Sequence, residues 1–261
     1  YNTGAPCVSV PGIVVPYSPG EATLAFCNDG LGTLNFGRYL AELPADVSFL
    51  PTRNLDAQYG AVPLTHEYSH APSQPSETPD AIYLRGYAST GSSNIGRGYI
   101  DLESFQKACL YGGQTANVSR VGHRRWLLEP RMLYTGMGIA GSGSSQTVAT
   151  HAFGRSRPVD EIGYALIAWP SAGPLLVEFT SATLPWSITL DRGRYDWDAS
   201  DHTVQLRRVS DGRMFNASDT EPAASSSAPG SPTTVTSSMR SSSVPRRPTF
   251  LEDTPWATSS T

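Results

Sequence analysis

Hydrophobic residues in the first 110 positions recur at helical spacing in separate stretches. Helices are predicted over about 31–43, 53–59 and 102–109, because apolar side chains three or four positions apart fall on one helix face. Pro44 and Gly112 follow the first and third of these stretches, and both residues are typical of helix ends.

The second half of the chain changes to strand-like patterns. Apolar runs at 134–139 and 161–169 predict two strands, separated by a Gly/Ser loop at 141–147. The second run is nearly continuous, as in a strand buried on both faces. Further strands are predicted at 175–179, 186–190 and 204–209, the last as one arm of a hairpin that turns at Asp211-Gly212.

Turn-forming and low-complexity stretches divide the chain. The prolines and acids of 71–80 predict a loop, and the Gly/Ser cluster at 91–96 predicts a turn. Three parts follow: an extended, proline-containing N-terminal arm over 1–30, a folded domain over 31–220, and a Ser/Pro/Thr-rich tail over 221–261. The tail has too few apolar residues to offset its ordering entropy, so we expect it to be a disordered segment or an O-glycosylated stalk.

Composition narrows the classes of function. The 261 residues carry a net charge of −4, and no domain-wide basic excess supports nucleic-acid binding. No run of 18 apolar residues occurs, so we expect no transmembrane segment. The charged fraction of 16% is low for a cytosolic protein and leaves room for many loops.

Cysteines and sequons bear on the compartment. Cys7 and Cys27 are placed where they could close a short loop, which leaves Cys109 over in an odd set of three. Asn117 and Asn216 each begin an N-glycosylation sequon. These features favour a secreted or cell-surface protein.

The segment Val121–Pro130 is the strongest candidate for chemistry. Gly122 precedes His123, two arginines follow, and Trp126 heads an apolar anchor that ends at a proline. Histidine is the side chain best suited to titrate or to bind a metal near neutral pH. We expect a strand or turn that presents His123 at the edge of the core.

His66, Glu67 and His70 form an H-E-x-x-H pattern. On a helix the two histidines would share one face and hold zinc, with Glu67 as the catalytic base of a hydrolase or protease. Pro63 and Pro72 flank the pattern closely and argue against a long helix there. The zinc-dependent hydrolase therefore stays an alternative. Neither a serine-hydrolase elbow nor a phosphate loop is present in the sequence.

Several short motifs occur in one order over about residues 31–215 and resemble the bacterial type of the CAP superfamily (cysteine-rich secretory protein, antigen 5 and pathogenesis-related 1; the SCP domain). The matching elements are the Leu34–Leu43 helix, a histidine element at His66 or at Tyr68–Pro72, Ser93-Asn94-Ile95, Asn117 with Val121–Trp126, Gly136-Met137-Gly138, Ala168–Gly173 and Pro185-Trp186-Ser187. The resemblance covers neither the arm nor the tail.

The resemblance implies an α+β fold, a three-layer α-β-α sandwich with a central cleft. In many members two histidines and two acids line that cleft and hold a divalent metal such as Zn²⁺. His123 matches the second histidine, His66 or His70 the first, and Glu103 one acid. Ser93 stands where the other acid often occurs. Asn94 and Arg124 complete the expected cleft.

Function is expected to be binding rather than turnover. The family's ligands imply a sterol or other lipid, a cell-wall component or an extracellular protein as partner. A purely structural surface module is the remaining alternative.

Overall fold

The computed structural model describes residues 19–76, 78–113, 118, 120–172, 176–179, 184–191, 204–208, 211–217 and 235–237. The chain divides into two units, residues 1–189 and 190–261. The fold is a mixed α+β arrangement, as predicted. Its helices are α1 (Leu24–Leu40), α2 (Pro51–His66), α3 (Asp80–Gly91), α4 (Leu102–Tyr111) and α5 (Gly122–Leu127). Its strands are β1 (Ser48–Phe49), β2 (Ser93–Arg97), β3 (Tyr134–Thr135), β4 (Met137–Ala140), β5 (Thr147–His151), β6 (Leu166–Trp169), β7 (Ser187–Leu190), β8 (Val204–Arg208), β9 (Met214–Ala217) and β10 (Val235–Ser237).

The first unit is built around an antiparallel sheet in the order β2-β5-β4. Helix α2 covers one face, where a Cβ on Gly138 would lie 2.4 Å from backbone atoms of Ala57 and Gln58. Helices α1 and α4 cover the other face, where Gln106 of α4 donates to the Thr150 hydroxyl at 2.6 Å. The sheet is therefore enclosed between helices on both faces.

Side chains cap both edges of this sheet. At β4, Gln58 of α2 donates to the Ile139 carbonyl at 2.7 Å and accepts from the Ile139 amide at 3.1 Å. At β2, the hydroxyl of Tyr68 donates to the Ile95 carbonyl at 3.0 Å. Edge backbone groups otherwise offer a template for pairing with another strand.

The core lies between the sheet and the α1/α4 layer. Fully buried side chains from both layers meet there: Leu34, Leu102, Phe105, Leu110, Leu127, Met132, Met137 and Ile139. Cys27 and Cys109 are free thiols in this core, and burial raises the pKa of Cys27 to about 12. Cys7, which was suggested as a disulfide partner of Cys27, lies outside the described residues.

The three predicted helices differ from their predictions mainly in length, whereas α3 and α5 were not predicted as helices. Helix α1 begins at Leu24, capped by the Thr23 hydroxyl, so residues 24–30 are helical rather than part of an extended arm. Helix α2 runs to His66 through Pro63, seven residues beyond the predicted end. Helix α4 is confirmed: Asp101 caps its start, and Gly112 ends it in the left-handed region at φ 64°.

Four local predictions are wrong. The expected turn at 91–96 contains strand β2, and β5 begins in the expected Gly/Ser loop. The expected strand at 175–179 is a 3₁₀ turn at Val177–Phe179. The segment around His123 is helix α5, entered through Val121 at φ 41°.

The second unit contains the predicted hairpin. Strands β8 and β9 pair antiparallel, with Val204 opposite Ala217, and Gly212 in the turn has φ 71°. Strand β10 pairs with β8, with Val235 opposite Arg208. This strand falls inside the tail that was predicted to be disordered, whose other residues lie outside the described part. No helix among the described residues is both long and apolar enough to cross a membrane.

Candidate functional site

Helix α5 is held in place by Arg124. This side chain is 1% exposed and donates to the carbonyls of Leu110 and Tyr111 at the end of α4, and to Pro185 at 2.8 Å. Its guanidinium also lies over the Trp169 ring, 5.6 Å from the centroid. Burial lowers the pKa of Arg124 to about 10. Arg124 was predicted to line the cleft as a ligand-binding group, but its donors bond to main-chain carbonyls and to the Ser187 hydroxyl within the core.

A second arginine fixes the other end of α5. Arg38 of α1 is fully buried and donates to the carbonyls of Leu127 and Glu129, each at 2.9 Å. The final carbonyls of a helix lack partners within the helix, and a cation is favourable beside them. The position of α5 is thus set by arginine bonds to main-chain oxygens at both of its ends.

His123 lies on α5 next to β2. Its carbonyl accepts from the Asn94 amide at 3.0 Å, and its ring contacts Phe105 edge to face at 6.4 Å between centroids. The Nδ1 atom is buried and has no partner among the described residues. Burial, with a smaller contribution from the charge of His70, lowers the pKa of His123 to about 4. The imidazole is therefore neutral near pH 7.

His70 is the candidate histidine whose charge acts on His123. Its Nδ1 lies 2.8 Å from the Thr90 carbonyl, and the Thr90 hydroxyl donates to the His70 carbonyl at 3.0 Å. A carbonyl only accepts, so Nδ1 of His70 donates in this hydrogen bond. His66, the other candidate, is the exposed last residue of α2.

The H-E-x-x-H pattern does not form a zincin helix. Helix α2 ends at His66, and Glu67 has extended backbone angles of φ −135° and ψ 118°. His66 and His70 therefore do not share a helix face. The Glu67 carboxylate accepts from the backbone amide and hydroxyl of Ser73, and these hydrogen bonds lower its pKa.

The acid expected in the cleft is used elsewhere. Glu103 pairs with Lys107 one turn along α4, at 2.8 Å, and both side chains are about one-third exposed. No group of three or more His, Cys, Asp or Glu residues able to hold a metal occurs in the described part of the chain. The predicted zinc ligands His123, His70 and His66 thus reduce to one imidazole pair. Such a pair does not fit a site that requires a third protein ligand.

Ser93 and Asn94 are both 1% exposed. Asn94 fixes the main chain of His123, whereas the Ser93 hydroxyl is buried without a partner among the described residues. Sequence reasoning missed the positioning roles of Tyr68 and Thr90, because both act through main-chain carbonyls, which no sequence pattern reveals.

The two glycosylation candidates have different outcomes. Asn117 lies outside the described residues. Asn216 lies in strand β9, and its modification stays a prediction.

Comparison with known proteins identifies no family for this chain. No protein-family model matches the chain, and no curated protein matches it.

Proposed function

We propose that this chain contains a CAP-like domain that binds an uncharged ligand at the cleft formed by His70 and His123. The order of short motifs, the α+β composition and the helices on both faces of the β2-β5-β4 sheet support a CAP-type sandwich. The suggested setting is secreted or at the cell surface.

The observation that carries the proposal is the His123 imidazole, which is neutral near pH 7 and whose buried Nδ1 has no partner among the described residues. His123 has a pKa of about 4, and Glu67 and Glu103 bond to Ser73 and Lys107 instead of to the histidines. A neutral imidazole donates one hydrogen bond and accepts another, which suits a hydroxyl or amide group. The same neutrality gives no charge with which to attract a strongly ionic ligand.

Binding is favoured over hydrolysis on the chemistry of these residues. A metal-activated water needs a metal held by about three protein ligands with one position left open, and a general base must reach the proton that it removes. The described residues offer two imidazoles, and Glu67 is held by Ser73. The lipid, cell-wall and extracellular-protein ligands implied by the family therefore remain the proposed partners.

The test is a ligand panel with matched histidine variants. The full chain is titrated with a sterol, a long-chain fatty alcohol and a soluble N-acetylglucosamine tetramer, with isothermal calorimetry as the readout. We expect His123→Gln and His70→Gln to weaken binding of a ligand at least fivefold, while His66→Gln leaves it unchanged. If no ligand of the panel depends on His70 or His123, the domain is a structural module and the proposal fails.

A further inference from the structure

Three hydrogen bonds tie neighbouring segments to the residues around the start of strand β2. The carbonyl of Thr90, the last buried residue of α3, bonds to the His70 ring, and the side chain of Asn94 in β2 bonds to the His123 carbonyl. Between them, the Ser92 carbonyl accepts from the amide of Phe153, which follows β5, at 3.4 Å. His123 and Phe153 are thus both bonded to the three-residue stretch 92–94, and His70 is bonded to Thr90 just before it.

An aromatic pair extends this region. Trp126 is three residues after His123 on α5, so the two side chains are neighbours on the helix surface. The Trp126 ring lies against Phe153 with 4.0 Å between centroids and 39° between planes. Phe153 is 43% exposed, although it is a large hydrophobic residue. A supported and partly exposed aromatic pair therefore lies next to His123 on α5.

This combination matches one ligand chemistry better than the others. A pyranose ring has an apolar C–H face that packs on an aromatic ring, and hydroxyls at its rim that exchange hydrogen bonds with neutral polar groups. A sterol or an acyl chain would instead need to bury nearly all of its surface in an apolar cleft. Here the apolar contact is a ring that is partly open to solvent, and the neighbouring polar group is the imidazole of His123.

From this arrangement we infer that the ligand of the His70–His123 cleft is an uncharged saccharide, with one sugar ring stacked on the Trp126–Phe153 pair and its hydroxyl or acetamido groups bonded to the imidazoles. This inference rests on the proposed function and adds the substrate class to it. Either a cell-wall polymer or the glycan of a glycoprotein would supply the same sugar ring.

The experiment uses the N-acetylglucosamine tetramer and the full chain, with calorimetry and tryptophan fluorescence as readouts. Phe153→Ala removes the exposed ring, and we expect at least a tenfold loss of affinity. Phe36→Ala is the matched control, since Phe36 is 37% exposed and also packs in an aromatic pair, with Phe179 at 5.5 Å. Binding to a covalently linked wall polymer is then compared with binding to a glycoprotein whose glycans have been trimmed, which separates the two sources of the sugar ring.

These outcomes distinguish failure of the saccharide assignment from failure of the proposed function. If Phe153→Ala and His123→Gln both weaken tetramer binding while Phe36→Ala does not, the saccharide assignment stands. If the tetramer fails to bind, or Phe153→Ala leaves its affinity unchanged, while another ligand still depends on His123, the assignment is overturned and the proposed cleft survives. If Phe153→Ala abolishes tetramer binding but binding depends on neither histidine, both the saccharide assignment and the proposed cleft are overturned.

Discussion

Protonation of His123 should destabilise the fold as the pH decreases. Its pKa is 6.5 in an exposed setting and about 4 in the folded protein, where burial and His70 disfavour the charged ring. Between these values the unfolded chain binds more protons than the folded one, so stability increases with pH across this window and levels off above it. The contribution of His123 is fully present above about pH 6.5 and is lost towards about pH 4.

The magnitude follows from the two pKa values. Each tenfold change in proton affinity is worth about 1.4 kcal/mol, so the lowering to about 4 corresponds to about 3 kcal/mol over the whole window. Since His123 is only partly buried, solvent screens some of this energy. Between neutral pH and about pH 4.5 we therefore expect His123 to account for roughly 2 kcal/mol of lost stability.

The measurement compares urea unfolding of the wild type and His123→Gln at these two pH values. The variant should lose roughly 2 kcal/mol less than the wild type on acidification. His151, whose pKa burial and Arg53 also lower to about 4, is present in both proteins and cancels. His66→Gln, at the exposed end of α2, is the control and should behave as wild type. Equal acid losses in the wild type and His123→Gln would refute the reasoning.

Three further substitutions test the packing around the site. Arg124→Met leaves buried carbonyls without donors and should lower the free energy of unfolding in urea by about 3 kcal/mol. The control is Arg125→Met at the exposed neighbouring position, which should change stability by less than about 0.5 kcal/mol. Similar values for both variants would contradict the role of Arg124 in holding α5. Gly138→Ala forces a Cβ against the backbone of α2 and should lower the free energy of thermal unfolding by more than about 3 kcal/mol or prevent folding. At Gly32 a Cβ would meet nothing within 4 Å, so Gly32→Ala should stabilise the protein through α1 by up to about 1 kcal/mol. Gln58→Leu removes the two side-chain bonds to Ile139 of β4 and should lower the free energy of unfolding in denaturant by about 2 kcal/mol. An unchanged unfolding midpoint would show that the Gln58 amide is dispensable.

Hydrophobic periodicity predicted the elements whose buried residues are large. Helix α4 follows this rule, with Phe105 and Leu110 on its buried side. Helix α3 does not: its buried residues are Gly86, Ser89 and Thr90, while Leu84 is 60% exposed. A helix that packs through small residues gives almost no amphipathic pattern, so it could not be predicted in this way.

The same reason explains the missed strands. Strand β2 is buried over most of its length although its sequence is Ser-Asn-Ile-Gly-Arg. At Gly96 a Cβ would lie 2.5 Å from the Phe105 ring, so small residues there allow the helix layer to approach the sheet closely. Composition suggested a turn, whereas the close approach of two layers is a tertiary property.

The candidate site was only partly predictable. His123 was evident from its motif, but the choice of His70 over His66 depends on Thr90, twenty residues further along the chain. Arg124 looked available for a ligand because sequence does not reveal that three carbonyls take its donors. Glu103 was assigned to the cleft, but its nearest cation is Lys107 on the same helix.

The capped edges of the β2-β5-β4 sheet have a consequence for the life of the protein in a crowded, concentrated setting. The bonds to Ile139 and Ile95 at these edges come from the single side chains of Gln58 and Tyr68, and Asn54 accepts from the Met137 amide at the β4 edge. One substitution at Gln58 or Tyr68 would therefore uncover main-chain groups that can recruit a second molecule. We expect such variants to self-associate more readily than the wild type, so that solubility depends on residues other than the two histidines.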